Sequence, residues 1–263
     1  MTAKILLAIF FLTAASAASA AWDAGAGLED YRWVEYPEGI DGTPKEYGPR
    51  SALFVNWTQD GERGLLYAWR AKLYAGKVDY DTFLLAAPHT PVSTQTEYSG
   101  AASEAQLLYR SNVGSYKLDQ IGGLGLDVWR RAILNSGGSQ IEDFSILFLR
   151  AGLRLAKPGK QAGLHAELGI KYPVSTNEDA HLTSLGYTTN PAISPGRAAS
   201  GYAEIGYRIN PRFDVLGYYD SWRFKRSEDV RANKPGDLPG TYWLIHQPES
   251  KMDAVGIKLL VSF

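Results

Sequence analysis

Two short clusters combine side chains that can move protons. Asp79-Tyr80-Asp81 and Asp179-Ala180-His181 each place two ionisable groups two residues apart. Alternate residues of an extended strand project to the same side, so each cluster can aim both groups into the mouth of a barrel. A histidine oriented by an aspartate can take a proton from water, and a facing pair of carboxylates can position that water for attack on a peptide carbonyl. The same triplets also suit strand ends that run into solvated turns, where Asp and Asn hydrogen-bond their own backbone; this plainer reading carries more weight. His165 and Glu167 form another two-apart pair, but two ligands do not make a metal site, and the strand face they share is full of charge. His89 and His246 have no acidic partner at readable spacing and receive no role. Cysteine is absent, which removes disulfides, thiol chemistry and thiolate metal sites. No motif calls for a cofactor.

The elements that must position these residues are strands. From Gly163 to Tyr172, Leu164, Ala166, Leu168, Ile170 and Tyr172 alternate with Gly163, His165, Glu167, Gly169 and Lys171, the period of a strand with one apolar and one ionic face. Similar runs cover Ser51 to Trp57, Gly64 to Gly76, Glu104 to Arg110, Lys117 to Arg130, Phe144 to Leu155, Tyr202 to Ile209, Phe213 to Phe224 and Met252 to Phe263. An irregular first strand between Gly25 and Tyr36 brings the total to about ten. Short connections hold Asp60-Gly61, Asn112 to Ser115, Pro158-Gly159 and Asn210-Pro211. Longer ones are expected from Pro37 to Pro49, Lys77 to Ala101, Leu134 to Glu142, Pro173 to Ser200 and Lys225 to Ser250. Short turns at one end and long loops at the other are the layout of a transmembrane barrel. The expected fold is therefore all-β: a closed antiparallel transmembrane β-barrel with short periplasmic turns and long extracellular loops.

The chain also carries an address. Lys4 precedes the apolar run Ile5 to Leu12, and small residues follow from Ala14 to Ala20, the layout of a secretory signal peptide cut after Ala20. Residues 1–20 are read as that leader and 21–263 as one outer-membrane domain. No later run is apolar for the ~20 residues that a membrane helix needs. Net charge is −1, with both signs mixed, so nothing points to nucleic acid. Tyr (16) and Trp (7) together outnumber Phe (9), and these two side chains favour membrane interfaces. The last strand aligns Val255, Ile257, Leu259, Val261 and the terminal Phe263 on one face. That ending resembles the signal by which bacterial outer-membrane barrels are recognised, which implies the barrel-assembly machinery as a partner and the outer membrane of a Gram-negative cell, with its lipopolysaccharide, as the location.

Charges on the other strand faces, among them Arg70, Lys72, Glu104, Asp119, Asp127, Arg150, Arg154, Glu167, Lys171, Glu204 and Lys258, have both signs. About ten strands enclose a space that side chains fill, well short of the sixteen or so that leave a water channel. The interior is thus expected to be a salt-bridged plug. With the two proton-moving clusters, the strand number and the loop order, the chain also resembles the omptins, ten-stranded outer-membrane proteases. That likeness implies Asp79 and Asp81 as their acidic pair and Asp179 and His181 as their Asp–His couple. It leaves the acidic specificity positions open, with Glu29 and Glu35 as guesses. The chain otherwise resembles the broad class of small outer-membrane barrels, a class silent on activity. Three functional readings follow: first a structural or surface-binding barrel acting through its outer loops, then an omptin-like endopeptidase, and then a narrow pore.

Overall fold

Strands with one greasy and one ionic face have a stable solution in a bilayer: close on themselves, with the greasy side out. The computed structural model describes residues 20–39, 42–83, 90–135, 138–159 and 161–263. All but the last residue of the expected leader lies outside these, as does His89. Ten strands form the wall: β1 (Ala20–Tyr36), β2 (Lys45–Gln59), β3 (Gly64–Phe83), β4 (Pro91–Val113), β5 (Tyr116–Asn135), β6 (Gly138–Ala156), β7 (Gly163–Asp179), β8 (Ser200–Arg208), β9 (Phe213–Lys225) and β10 (Glu249–Ser262). Each pairs antiparallel with its sequence neighbours, and β10 closes the ring by pairing with both β9 and β1. Gly196–Arg197 adds a two-residue pairing at the upper end of β9. The start of β1 and the end of β10 meet at the short-turn rim, where the Trp22 amide donates to the Phe263 carbonyl at 3.4 Å.

The outer face carries a continuous apolar belt: Leu28, Leu53, Leu73, Leu107, Leu124, Leu149, Leu168, Ile205, Val215 and Ile257 are all exposed. In water such a belt would drive aggregation; in a bilayer it is the face that lipid requires. Tyr67, Tyr109, Tyr207 and Phe213 line its lower edge and Tyr172 its upper edge on β7, where amphipathic rings sit between lipid and water. Above the belt the outer face turns polar, with Lys77 3.4 Å from Glu97 and Arg130 2.8 Å from Asp143.

Much of what the sequence suggests as loop is strand. β2 begins at Lys45 rather than Ser51, β3 runs to Phe83, β4 starts at Pro91, β5 reaches Asn135 and β7 reaches Asp179. These extensions stand above the belt, where water meets the outer face and apolar alternation has no reason to persist. In β7 the ladder with β6 slips between Leu147 and Phe148, which face Ser175 and Pro173 and leave Val174 as an extra residue. One inserted residue exchanges the two faces of everything beyond it. Lys171 and Pro173 point inward below the bulge, and Thr176 and Glu178 point inward above it; all four are buried.

Inside, each of the inward charges expected from the alternation meets a partner of opposite sign or a hydrogen-bonding group. Glu167 is the hub: it accepts two bonds from Arg70 (2.9 and 2.5 Å) and one each from Arg150 and Arg154 (both 2.8 Å). Arg150 reaches on to Glu104 at 2.9 Å, Lys258 to Glu204 at 2.6 Å, and Arg110 clasps Asp119 at 2.7 and 2.9 Å. The Arg150 guanidinium stacks 3.4 Å from the Tyr202 ring centroid. That ring crosses the facing pair Gly152 and Gly169, where an added Cβ would lie 2.0 and 2.5 Å from the Tyr202 hydroxyl, so only glycine fits at either position. Over these ion pairs lies a layer of buried aromatics, including Trp33, Trp129, Phe144, Phe148, Trp222 and Phe224. Cavities of about 220 and about 100 Å³ remain below it.

Removing the charge of Glu167, whose side chain is 4 % exposed, takes from Arg70 its carboxylate partner and leaves Arg150 with Glu104 and Arg154 with the more distant Asp119. Breaking a buried ion pair costs roughly 3–5 kcal/mol. Glu167→Gln is expected to lower the temperature at which the folded, faster-migrating form is lost on a detergent gel, whereas an unchanged transition would show that the hub adds no stability.

Candidate functional site

Asp79 and Asp81 continue the outward series of β3 that includes Leu73 and Ala75. Tyr80 between them is buried, while Asp79 is exposed. Asp81 accepts bonds from the Tyr47 hydroxyl (2.9 Å) and the Ser93 hydroxyl (2.7 Å), both on neighbouring strands of the outer face. These bonds, that of Ser93 foremost, hold its carboxyl below the usual range. The pair therefore faces away from the barrel mouth, in contrast to the expectation that both side chains project into it.

Asp179 and His181 do come together, with a third partner that the sequence spacing hides. Asp143 stands directly across from Asp179 in the β6–β7 ladder. His181 Nε2 lies 3.0 Å from Asp143 and 3.9 Å from Asp179, and Arg130 grips Asp143 with two bonds of 2.8 Å. Asp179 Oδ1 accepts the His181 amide at 3.0 Å and the Asn190 side-chain amide at 2.6 Å. His181 has φ 48°, the left-handed region, and starts the short 3-10 turn Leu182–Leu185. These contacts give both facing carboxylates hydrogen-bonding partners and fix the start of the fourth outer loop. The two pairs thus have separate partners: Asp81 is held on the outer face of β3 by Tyr47 and Ser93, and Asp179 and His181 are joined to Asp143 and Arg130 at the start of loop 4.

The remaining guesses are engaged elsewhere. Glu29 binds Arg50 (2.5 Å), Lys72 (2.5 Å) and the Tyr218 hydroxyl (2.8 Å). His165 pairs with Asp214 at 2.8 Å, apart from Glu167. His246 does have an acidic neighbour, Asp229 at 3.1 Å, which lies 17 positions earlier.

The most unusual chemistry lies above the aromatic layer, in a chamber that no sequence motif marks. Arg131 is encircled by carboxylates: Glu35 at 3.0 Å, Glu46 at 2.8 Å and Glu142 at 2.7 Å. Glu46 also accepts from Thr96 at 2.9 Å and from the Tyr98 hydroxyl, and Trp33 donates to Glu35 at 3.0 Å. Glu178 enters from β7, turned inward by the Val174 bulge and 2 % exposed. Apart from Glu35, which lies on the expected first strand, these positions belong to the strand extensions above the belt; continuing the alternation past Arg130 and back from Ser51 would have found Arg131 and Glu46, but not Glu178.

A cap covers this end. Residues 180–199 form loop 4 and residues 226–248 form loop 5, and the two share a small core of Ala180, Leu182, Ile193 and Ala232. Within loop 5, Val230–Ala232 pairs with Trp243–Ile245. Loop 4 is tied to β7 by two backbone bonds between Glu178 and Ile193, of 2.8 and 3.0 Å. Loop 5 is tied to the chamber by the Gln247 side-chain amide, which donates to Glu35 at 3.3 Å.

No family model and no curated protein sequence matches the chain. Among solved structures, it is similar to the outer-membrane protease OmpT from Escherichia coli, with a TM-score of 0.56 at 10 % identity over 93 % of this chain and 96 % of that one. The translocator domain of the autotransporter NalP from Neisseria meningitidis gives a TM-score of 0.40 at 9 % identity over 97 % and 93 % of the two chains. Neisserial surface protein A gives 0.35 at 9 % identity over 92 % and 99 %. At such identities the likeness is one of fold: this is a closed ten-stranded barrel of the outer-membrane type.

If Asp143 and His181 anchor loop 4, Asp143→Asn and His181→Ala will each quicken proteolytic cutting within residues 180–199 several-fold while the barrel core stays resistant. The refolded parent will leave fluorogenic peptides uncut. Peptide cleavage that disappears in both Asp81→Ala and His181→Ala would contradict this assignment.

Proposed function

We propose that this protein is a non-conducting barrel of the bacterial outer membrane that presents its last outer loop as a recognition surface. The observation that carries the first half is the lattice of inward ion pairs centred on Glu167 and roofed by aromatic rings. Ions crossing the barrel would have to break several buried pairs at once, each costly to open. The chain reaches its membrane by the leader in residues 1–20, and residues 21–263 fold as a single barrel domain. The assembly machinery takes it up through the final strand ending at Phe263, and lipid and lipopolysaccharide surround the belt.

The second half rests on the tip of loop 5. Leu238, Tyr242, Trp243 and Leu244 are between 45 and 74 % exposed on the water side of the molecule. Arg231 lies 4.2 Å from the Tyr242 ring centroid and Lys234 5.1 Å from that of Trp243. Exposed apolar patches on otherwise polar surfaces mark interaction sites, and Trp, Tyr and Arg are the side chains that dominate binding energy there. Held by a paired hairpin, this tip loses little freedom on binding.

In planar bilayers the purified barrel is expected to give no steady large conductance. On intact cells, external protease is expected to cut within residues 226–248 and leave the remainder membrane-bound. A stable open channel would overturn the closed reading, and recovery of the mature chain with soluble periplasmic proteins would overturn the location.

A further inference from the structure

The chamber above the aromatic layer holds more negative charge than it can neutralise. Glu35, Glu46, Glu142 and Glu178 are each 8 % exposed or less, and the single guanidinium of Arg131 pairs with the first three. Glu178 is left over: its Oε2 is buried without a hydrogen-bond partner. Facing it are Glu142 of β6 and Glu35 of β1, which repel an ionised carboxylate, and Arg131 of β5, which attracts it. Glu46 of β2, Tyr80 of β3 and Tyr98 of β4 crowd around Arg131 instead. Loop 4 presents Ile193, which carries no charge, and loop 5 presents Gln247, which is spent on Glu35.

An unpaired carboxylate in such a place is cheaper to neutralise than to keep ionised. With Arg131 already shared among Glu35, Glu46 and Glu142, a proton is the partner that neutralises Glu178 at least cost. Burial, with Glu142 and Glu35 adding to it, holds the Glu178 carboxyl well above the usual range. Glu178 stands above the apolar belt, six residues beyond Tyr172, so the proton can come from the outer medium.

The same residue carries the cap. Its amide and carbonyl bond to Ile193, itself 1 % exposed in the core that joins loops 4 and 5. We propose that loops 4 and 5 form a proton-held latch, closed over the chamber while Glu178 is neutral and loosened when alkaline pH ionises it.

The sign follows from linkage. In the open cap Glu178 meets water and ionises at its ordinary value, whereas in the closed cap its value is raised. Closure is therefore strongest below the ordinary value and is lost as pH rises through the raised one, with the open-to-closed ratio growing by up to about tenfold per pH unit in between. The chain has no cysteine, so nitroxide labels can be placed at Thr189→Cys in loop 4 and Gln95→Cys on the rim, both exposed positions. Their separation is then read by pulsed electron resonance from about pH 5 to about pH 10, the span over which buried glutamates titrate. One defined distance at the acid end, joined by a longer one that grows with pH, is the expected result. Glu178→Gln should hold the single distance throughout, and Glu142→Gln, which removes a repelling charge, should make the longer component level off at lower pH. Migration as folded barrel on an unheated detergent gel checks each variant. A distance that ignores pH in the parent, or that lengthens equally in Glu178→Gln, would overturn the latch.

Discussion

A closed barrel in lipid has no water on its outer wall, so charge that cannot face lipid must be neutralised inside. That constraint orders this molecule from one rim to the other. Glu167 gathers Arg70, Arg150 and Arg154 into one cluster spanning strands from opposite sides of the ring. Glu29 does the same for Arg50 and Lys72 with help from Tyr218. Burying such groups is worth little net stability in itself, because desolvation offsets the Coulomb gain. Each carboxylate has a defined set of donors, so a strand in the wrong register would leave several charges unpaired.

The lipid-level part of the fold was readable because two solvents meet there. Lipid outside and charge inside impose a strict two-residue period, and the run from Gly163 to Tyr172 shows it in full. Inward charges such as Arg70, Glu104, Arg154 and Lys258 followed from that period alone. Above the belt both faces are wet or polar, the period loses its apolar half, and Lys45 to Pro49 or Arg131 to Asn135 no longer look like strands. Glu46 and Glu142 beside Arg131 were hidden for this reason, whereas Glu35 already lay on the expected first strand.

The two proton-moving clusters teach separate lessons. The outward placement of Asp79 and Asp81 was legible, since they share the parity of Leu73 and Ala75 on the same strand. The parity of Asp179 was not, because counting on from Lys171 puts it inside. The bulge at Val174, beside a proline that has no amide to give the ladder, reverses the faces so that Glu178 enters the chamber and Asp179 leaves it. A single inserted residue thereby separates the Asp–His couple from the barrel interior and supplies the interior with an unpaired acid instead.

The alternation and its reversal can be measured on one strand. Nitroxide labels placed singly from Leu164 to Asp179 would be tested for collision with oxygen, which concentrates in lipid, and with a water-soluble nickel complex. Oxygen contact at Leu164, Leu168, Ile170 and Tyr172, shielding from both reagents at Glu167 and Lys171, and then nickel contact at Ser175, Asn177 and Asp179 with shielding at Thr176 and Glu178, is the pattern this barrel should give. Unbroken parity through Asp179, or nickel contact along the whole segment, would contradict it.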